Sequence, residues 1–371
     1  MTRPGVVVSS RADLPPRSAP TDAGMAFMVG TTASGSAVKT VASMTQYTNE
    51  FGQRTGATDT YDSAEAFFRE GGSKLTVAPA ATADAAGITG GLDLLTKDLG
   101  PGQVFVPGAL GVAAHDDLLA HVGANNRIAL LDADSDATAA ELEALAAGMS
   151  TDPNARYAAL FAPAATVPGV TSGTTRTVPY SAIQAGIISR NDASYSPNVP
   201  AAGVMGMSRF ALDLTARFTD AERETLNEAG VDIARVMYGQ VETYGYRTLA
   251  PDSTGWLSLA NARLNMEIVA KAEAVGERYV FSQIDGRRVK ISQFGAELTG
   301  MLVPYYEAGS LYGASPAEAF FVDVGSAVNT DESIAAGELH AVIGLRMSPF
   351  AEWVLIEIVK VAADQALAVA A

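Results

Sequence analysis

The sequence predicts an α/β fold organised on a mainly parallel sheet, α+β when the whole chain is counted. Three observations lead there. Short runs that are apolar almost throughout, such as residues 128–131 and 158–161, read as strands buried on both faces. Such runs alternate with stretches of helical period. The composition, 48% hydrophobic and 18% charged over 371 residues, is globular and long enough for two or more domains.

The elements follow in order. Residues 1–20 pair the β-prone Val6, Val7 and Val8 with a proline-rich segment that keeps the chain extended. Three valines cannot stabilise a strand alone, so this arm needs another sheet. Strands are expected at 24–29 and 74–78, with a short extended piece at 39–41 and helices at 45–51 and 63–70. Strands at 104–106, 127–131 and 157–161 alternate with helices at 115–123 and 138–147. Gly87, Gly90 and Gly91 are expected in a loop. Residues 162–200, rich in Pro, Gly, Thr and Ser, read as loops around one helix near 181–189. A strand-rich piece spans 231–238. A long helix is expected over 254–275, burying Trp256, Leu259, Leu264 and Ile268 and pairing Glu267 with Lys271 on its exposed side. A second covers 289–306, broken or ended near Pro304, and strands follow at 320–324 and 339–345. Near the C-terminus, Trp353, Leu355 and Val359 share one strand face while Val354, Ile356 and Ile358 share the other. Both faces are apolar, so this strand needs cover above and below, from its own sheet or another chain's.

Candidate chemistry is sparse. Gly71-Gly72-Ser73-Lys74 resembles the end of a phosphate loop, but there the order is strand, glycines, helix. Here a helix capped by Asp62 or Ser63 precedes the glycines and a strand follows, which predicts a turn. Asp132, Asp134, Asp136 and Glu143 match positions of a calcium loop, yet Ala137 stands where the loop requires glycine. Thr138 with Glu141 forms a capping box instead, with the aspartates favouring that helix's positive end. His115, His121 and His340 have no metal-ligand spacing, and neither GxSxG nor a GxGxxG after a strand occurs. The chain has no cysteine, which excludes disulfides and thiolate sites, and a formal charge of -16, which opposes nucleic-acid binding. No signal-peptide pattern or membrane-length apolar run is read, so a cytoplasmic origin is the simplest expectation. No catalytic, cofactor-binding or metal residue is assigned.

The segments without chemistry fit together as a family. Pro4-Gly5-Val6-Val7-Val8 resembles the PGVYVEE arm of contractile phage tail sheath proteins and the sheaths of related contractile injection systems. Residues 24–30 resemble the strand that follows it, and 45–52 and 66–77 the next helix and its glycine turn. Residues 127–132, 157–163 and 178–192 resemble the middle motifs, with alanine after Pro163 where the family has tryptophan. Gly245-Tyr246-Arg247-Thr248-Leu249 resembles GaRTL, and residues 309–322 resemble GaLfGatPeeAFfV. Asn329-Thr330, Gly337-Glu338-Leu339 and Ala351-Glu352-Trp353-Val354 match the ending, and the stretch after Lys360 runs past it.

The resemblance implies a structural subunit and no enzyme. An N-terminal arm (1–20), an outer α/β domain of subtilisin-like fold (21–244), an inner sheath domain (245–348) and a C-terminal arm (349–371) are expected. The arms would donate strands to neighbouring subunits through Gly5, Val6, Val7, Val8 and through Trp353, Val354, Leu355, Ile356, Glu357, Ile358. Implied partners are further copies in stacked hexameric rings, an inner tail tube protein, and baseplate and tail terminator proteins. Nucleic acid, membrane insertion and cofactors are not implied. Such a sheath contracts to drive its tube through a cell envelope, in a virion tail assembled in the host cytoplasm or in a bacteriocin or other non-phage particle. A hydrolase on an α/β fold and a non-sheath tail component are the rival readings.

Overall fold

In the computed structural model, which describes residues 24–55 and 59–352, the alternating strands and helices build one eight-stranded sheet. The first half contributes β1 (Ala26–Thr31), β2 (Lys39–Val41), α1 (Met44–Phe51), α2 (Asp59–Arg69), β3 (Leu75–Ala80) and α3 (Ala85–Asp93). It continues through β4 (Gln103–Phe105), α4 (Val112–Asn125), β5 (Ile128–Asp132), α5 (Ala139–Met149) and β6 (Ala158–Ala162). Then come β7 (Ala165–Pro168), β8 (Thr175–Val178), α6 (Tyr180–Asp192), β9 (Asp213–Leu214), α7 (Asp220–Glu228), β10 (Val231–Met237) and β11 (Gln240–Thr243). The C-terminal part is α8 (Leu259–Glu277), α9 (Val289–Glu307), α10 (Pro316–Ala319), β12 (Phe320–Asp323), α11 (Asp331–Ala335) and β13 (Val342–Leu345).

The sheet order is β11-β10-β6-β5-β4-β1-β3-β2. Every pairing from β10 to β3 is parallel, and only the edge strands β11 and β2 run antiparallel. All residues of β4, β5 and β6 are buried, so side chains on both faces are covered, as their apolar runs predict. Helix α6 is buried on nearly every side, which its short predicted core understated. The hairpin β7–β8 with β9 forms a separate three-stranded sheet, in a region expected as loop.

Five local expectations need correction. Gly87, Gly90 and Gly91 lie inside α3, not in a loop. A Cβ at Gly91 would overlap the Val29 side chain of β1, so the glycine lets the helix approach the sheet. Helix α2 begins at Asp59, and Asp62 is an interior residue held by Arg54 at 2.8 Å instead of a cap. Helix α8 begins at Leu259, leaving Trp256 outside it and only half-buried, under the Arg156 guanidinium. Glu267 is buried and receives the Tyr305 hydroxyl at 2.6 Å, so its pair with Lys271 faces α9 and not solvent. Helix α9 also runs through Pro304 to Glu307, because Leu302 and Tyr305 around the proline are buried in a core.

Helix α8 ties the two parts together. Leu259, Ala260, Ala262 and Met266 join the core under the large sheet, while Leu264, Ile268, Ala272 and Val275 join two smaller cores beneath β12 and β13. Between them, fully buried Arg263 pairs with Asp192 of α6 and donates to the Pro197 carbonyl at 3.0 Å. Lys97 reaches Glu273 at 2.7 Å from the other side.

Candidate subunit interface

The C-terminal part of the described chain ends in a two-stranded sheet, β12 with β13. Its registry pairs Phe320 with Leu345, Phe321 with Gly344, Val322 with Ile343 and Asp323 with Val342. Alternation sends Phe320, Val322, Ile343 and Leu345 inward against Leu264, Leu302 and Phe294 of α8 and α9. Phe321 and Asp323 face outward, and Phe321 and Val342 are 56% and 47% exposed, too apolar for a face that ends in water. A Cβ at Gly344 would overlap the Phe321 ring, so this ring covers the glycine and gives the outer face a flat apolar floor.

Local sequence fixes this sheet in place. Ser310, fully buried, donates to Asn198 Oδ1 at 2.8 Å and anchors the segment 309–322 to the loop after α6. Pro316 opens the one-turn helix α10, which delivers the chain into β12. Asn329 then closes the return: its amide donates to the Val324 and His340 carbonyls at 3.0 and 2.8 Å and accepts the His340 N–H at 2.7 Å. Beyond β13 the chain pairs Met347 with Leu311, and Tyr312 N–H donates to the Arg346 carbonyl at 2.7 Å. Among the described residues, no third strand pairs with β12 or β13. Two strands alone are marginal in water, and the edges of such a sheet are templates for a further strand. Both strands are legible in the sequence; the apolar outward face of Phe321 and Val342 is not.

The expected donor residues, Gly5, Val6, Val7, Val8, Trp353, Val354, Leu355, Ile356, Glu357 and Ile358, lie outside the described residues, as do both expected arms for most of their length. The other candidates fall into structural roles. Gly71 has φ of 100° and follows α2 into β3, the order helix, glycine, strand. Thr138 and Glu141 form the capping box of α5. Asp132, however, serves a different helix from the one expected: its Oδ1 accepts the Ser181 N–H at 2.8 Å and its Oδ2 the Ser181 hydroxyl, at the start of α6. Burial raises its pKa to about 7 against those two hydrogen bonds, and the charge of Asp59 adds to the rise. Asp134 and Asp136 remain at the surface and interact with each other, and among the described residues no cluster has the makings of a metal site.

The histidines are separate. His115 is buried, with Nε2 3.0 Å from the Ala109 carbonyl, and burial lowers its pKa. His121 lies 2.9 Å from Arg127, and burial plus that guanidinium push it down to about 3. His340 lies 3.1 Å from Glu338. Among the described residues no helix is long and apolar enough to cross a membrane.

No protein-family model matches the chain, and no curated protein matches it significantly. Solved structures do match in fold. A chain of the anti-feeding prophage (AFP) baseplate, 6-fold symmetrised, has a TM-score of 0.74 at 19% identity, covering 97% of this chain and 99% of its own. A chain of an extracellular contractile injection system, the PVC sheath complex in contracted state, has a TM-score of 0.71 at 18% identity, covering 97% and 98%. The crystal structure of a sheath tail protein from Listeria innocua has a TM-score of 0.60 at 11% identity, covering 89% and 96%. The chain therefore shares the α/β architecture of these proteins from end to end.

Proposed function

We propose that the chain is a sheath subunit of a phage tail or phage-tail-like contractile particle, acting mechanically and not as an enzyme. The observation that carries this reading is the end-to-end likeness in fold to chains of contractile assemblies, which includes the part bearing β12 and β13. Subunits would stack as hexameric rings around an inner tube, with baseplate and terminator proteins at the ends, and contract to drive the tube through a target envelope. The division into an outer domain (21–244) and an inner domain (245–348) is part of the same reading. Supporting it, β1 to β11 share one core while β12 and β13 sit on two smaller ones, with α8 crossing between them.

The exposed apolar face of β12 and β13, a sheet of two strands among the described residues, supplies a physical reason for assembly. A segment such as Gly5–Val8 or Trp353–Ile358 of another copy would pair along an edge of this sheet and cover Phe321 and Val342. Main-chain pairing of this kind tolerates rigid-body rotation of the domains it connects, which a ring that turns as it shortens requires.

The test is negative-stain microscopy of the full chain beside a deletion of residues 353–371. The cut spares Phe350, which packs against the main core, and Glu352, which pairs with Arg247. Tubes from the full chain, and folded but unpolymerised subunits from the truncated one, are expected. Discrete full-chain particles at all concentrations would refute the sheath reading; normal tubes from the truncated chain would refute C-terminal strand donation.

A further inference from the structure

At one corner of the large sheet a tight turn carries a side chain that its conformation disfavours. Strands β10 and β11 are joined by two residues, Tyr238 and Gly239, since Met237 pairs with Gln240. Both take positive φ, 50° and 80°, in a turn that suits asparagine followed by glycine and that a bulky side chain resists. Tyr238 gains nothing from its own chain in return: it is 99% exposed. The strands beneath it are satisfied without it, with Arg235 Nε donating to Glu242 at 2.7 Å and the guanidinium lying over the Tyr244 ring. Met237, Tyr238, Gly239 and Gln240 are all uncharged, in a chain of net charge -16. A disfavoured backbone that displays a whole aromatic ring to water has its reason outside the subunit.

A hole of matching chemistry lies further along the same rim. Strands β10 and β1 run parallel through β6, β5 and β4, so Tyr238 and Thr32, each just past its strand, stand at the same end of the sheet. Four strand spacings of about 4.8 Å put them roughly 19 Å apart, so the tyrosine cannot reach the hole of its own chain. Thr31 and Thr32 wall a cavity of about 110 Å³ together with Tyr47, Phe51, Gln53 and Tyr61. The Tyr47 ring already meets Phe51 and Tyr61, with centroids 5.3 and 5.7 Å apart, and among the described residues no charged side chain lines the space. A cavity of about 150 Å³ admits a benzene ring, so this one is of the size to take the end of a single aromatic side chain. We propose that Tyr238 is a knob that enters this cavity on a second copy of the chain, adding its ring to three others and its hydroxyl to the threonine and glutamine groups there. Knob and hole are different surfaces, so the contact is head to tail, and a series of such contacts closes a ring or continues as a helix. Both surfaces are neutral, which lets two acidic copies meet without bringing like charges together. The contact is additional to strand exchange and rests on the sheath reading only in that copies of the chain associate.

The full chain serves as its own probe, because knob and hole both carry tyrosine. Photo-oxidation of mixed isotope-labelled and unlabelled copies should give a dityrosine joining Tyr238 of one copy to Tyr61 of another, identified by peptide mass spectrometry. Associated copies without that link, or copies that stay monomeric at every concentration, overturn the proposal. Tyr238→Asn suits the turn and should leave the urea midpoint at or above the parent's, while raising the concentration at which copies associate roughly tenfold in sedimentation. A tyrosine kept for the fold would do the opposite, lowering the midpoint and leaving association alone. Thr32→Phe fills the hole and should weaken association by a similar factor, and the double variant should do no worse than either single one, since both break one contact. Unchanged association in Y238N, or two effects that multiply, counts against the knob. If T32F does not fold, the dityrosine link decides alone. Tubes that lack the link sink the knob and spare the sheath reading; linked particles that never form tubes do the reverse.

Discussion

Replacing Asp132 by asparagine isolates the cost of keeping one carboxyl group beneath α6. Asp132 is 3% exposed, and its pKa in the folded chain is about 7 against an ordinary 3.8. Because the folded value is the higher one, folding takes up a proton between these two values. The contribution of Asp132 is therefore fully present below the unfolded value near 3.8 and is lost as pH rises through about 7. At about 1.4 kcal/mol per pH unit, the ceiling on that loss is about 4 kcal/mol. Asparagine keeps an acceptor for the Ser181 N–H, and the Ser181 hydroxyl can turn to accept from the new amide. A constant offset of about 1 kcal/mol covers the altered hydrogen bonds. Urea denaturation of the isolated subunit, parent and D132N, should be compared at pH 5, 6, 7 and 8. The variant should start near the parent and gain on it by a few kcal/mol up to about pH 7, with no further gain above. Other titrating groups cancel in the difference. A difference independent of pH, or a variant that falls further behind as pH rises, would refute the buried-acid reasoning. Asp59→Asn, which removes the neighbouring charge, should bring the end of the parent's loss to lower pH and shrink it, because a less crowded carboxyl group ionises more easily.

Three further outcomes are expected. Gly72→Val should cost several kcal/mol in thermal or urea melts, since a side chain there overlaps the Phe67 ring, whereas Lys74→Ala, on an exposed residue, should stay within about 0.5 kcal/mol; ATP binding lost in Lys74→Ala would contradict the turn assignment. Arg263→Ala removes the buried guanidinium that pairs with Asp192 and donates to the Pro197 carbonyl between α6 and α8 and should destabilise by about 3–5 kcal/mol, read by urea midpoint. Millimolar calcium should leave the melting temperature where equal ionic strength puts it, because both oxygens of Asp132 are engaged by Ser181; a saturable stabilisation abolished by Asp134→Ala would overturn that expectation.

Local chemistry made much of this protein readable from its residues alone. The apolar run of β5, the Thr138–Glu141 capping box and the glycine turn after α2 are each decided within a few residues, by burial on both faces, orphan N–H groups and a positive φ. The resemblance across residues 309–322 likewise located the segment that becomes α10 and β12. What lay beyond reach depends on partners distant in the chain. Gly87, Gly90 and Gly91 have the propensity of a loop, and packing of α3 against β1 and β3 overrides it. Glu267 has the spacing of a surface pair and is buried because α9 lies over it. Asp132 sits six residues from the Thr138 cap of α5, yet its carboxylate caps α6, whose first turn arrives 49 residues later. The exposed apolar face that Phe321 and Val342 share is of the same kind. Each is defined by a neighbour that the fold brings close or withholds, and sequence spacing carries no record of that.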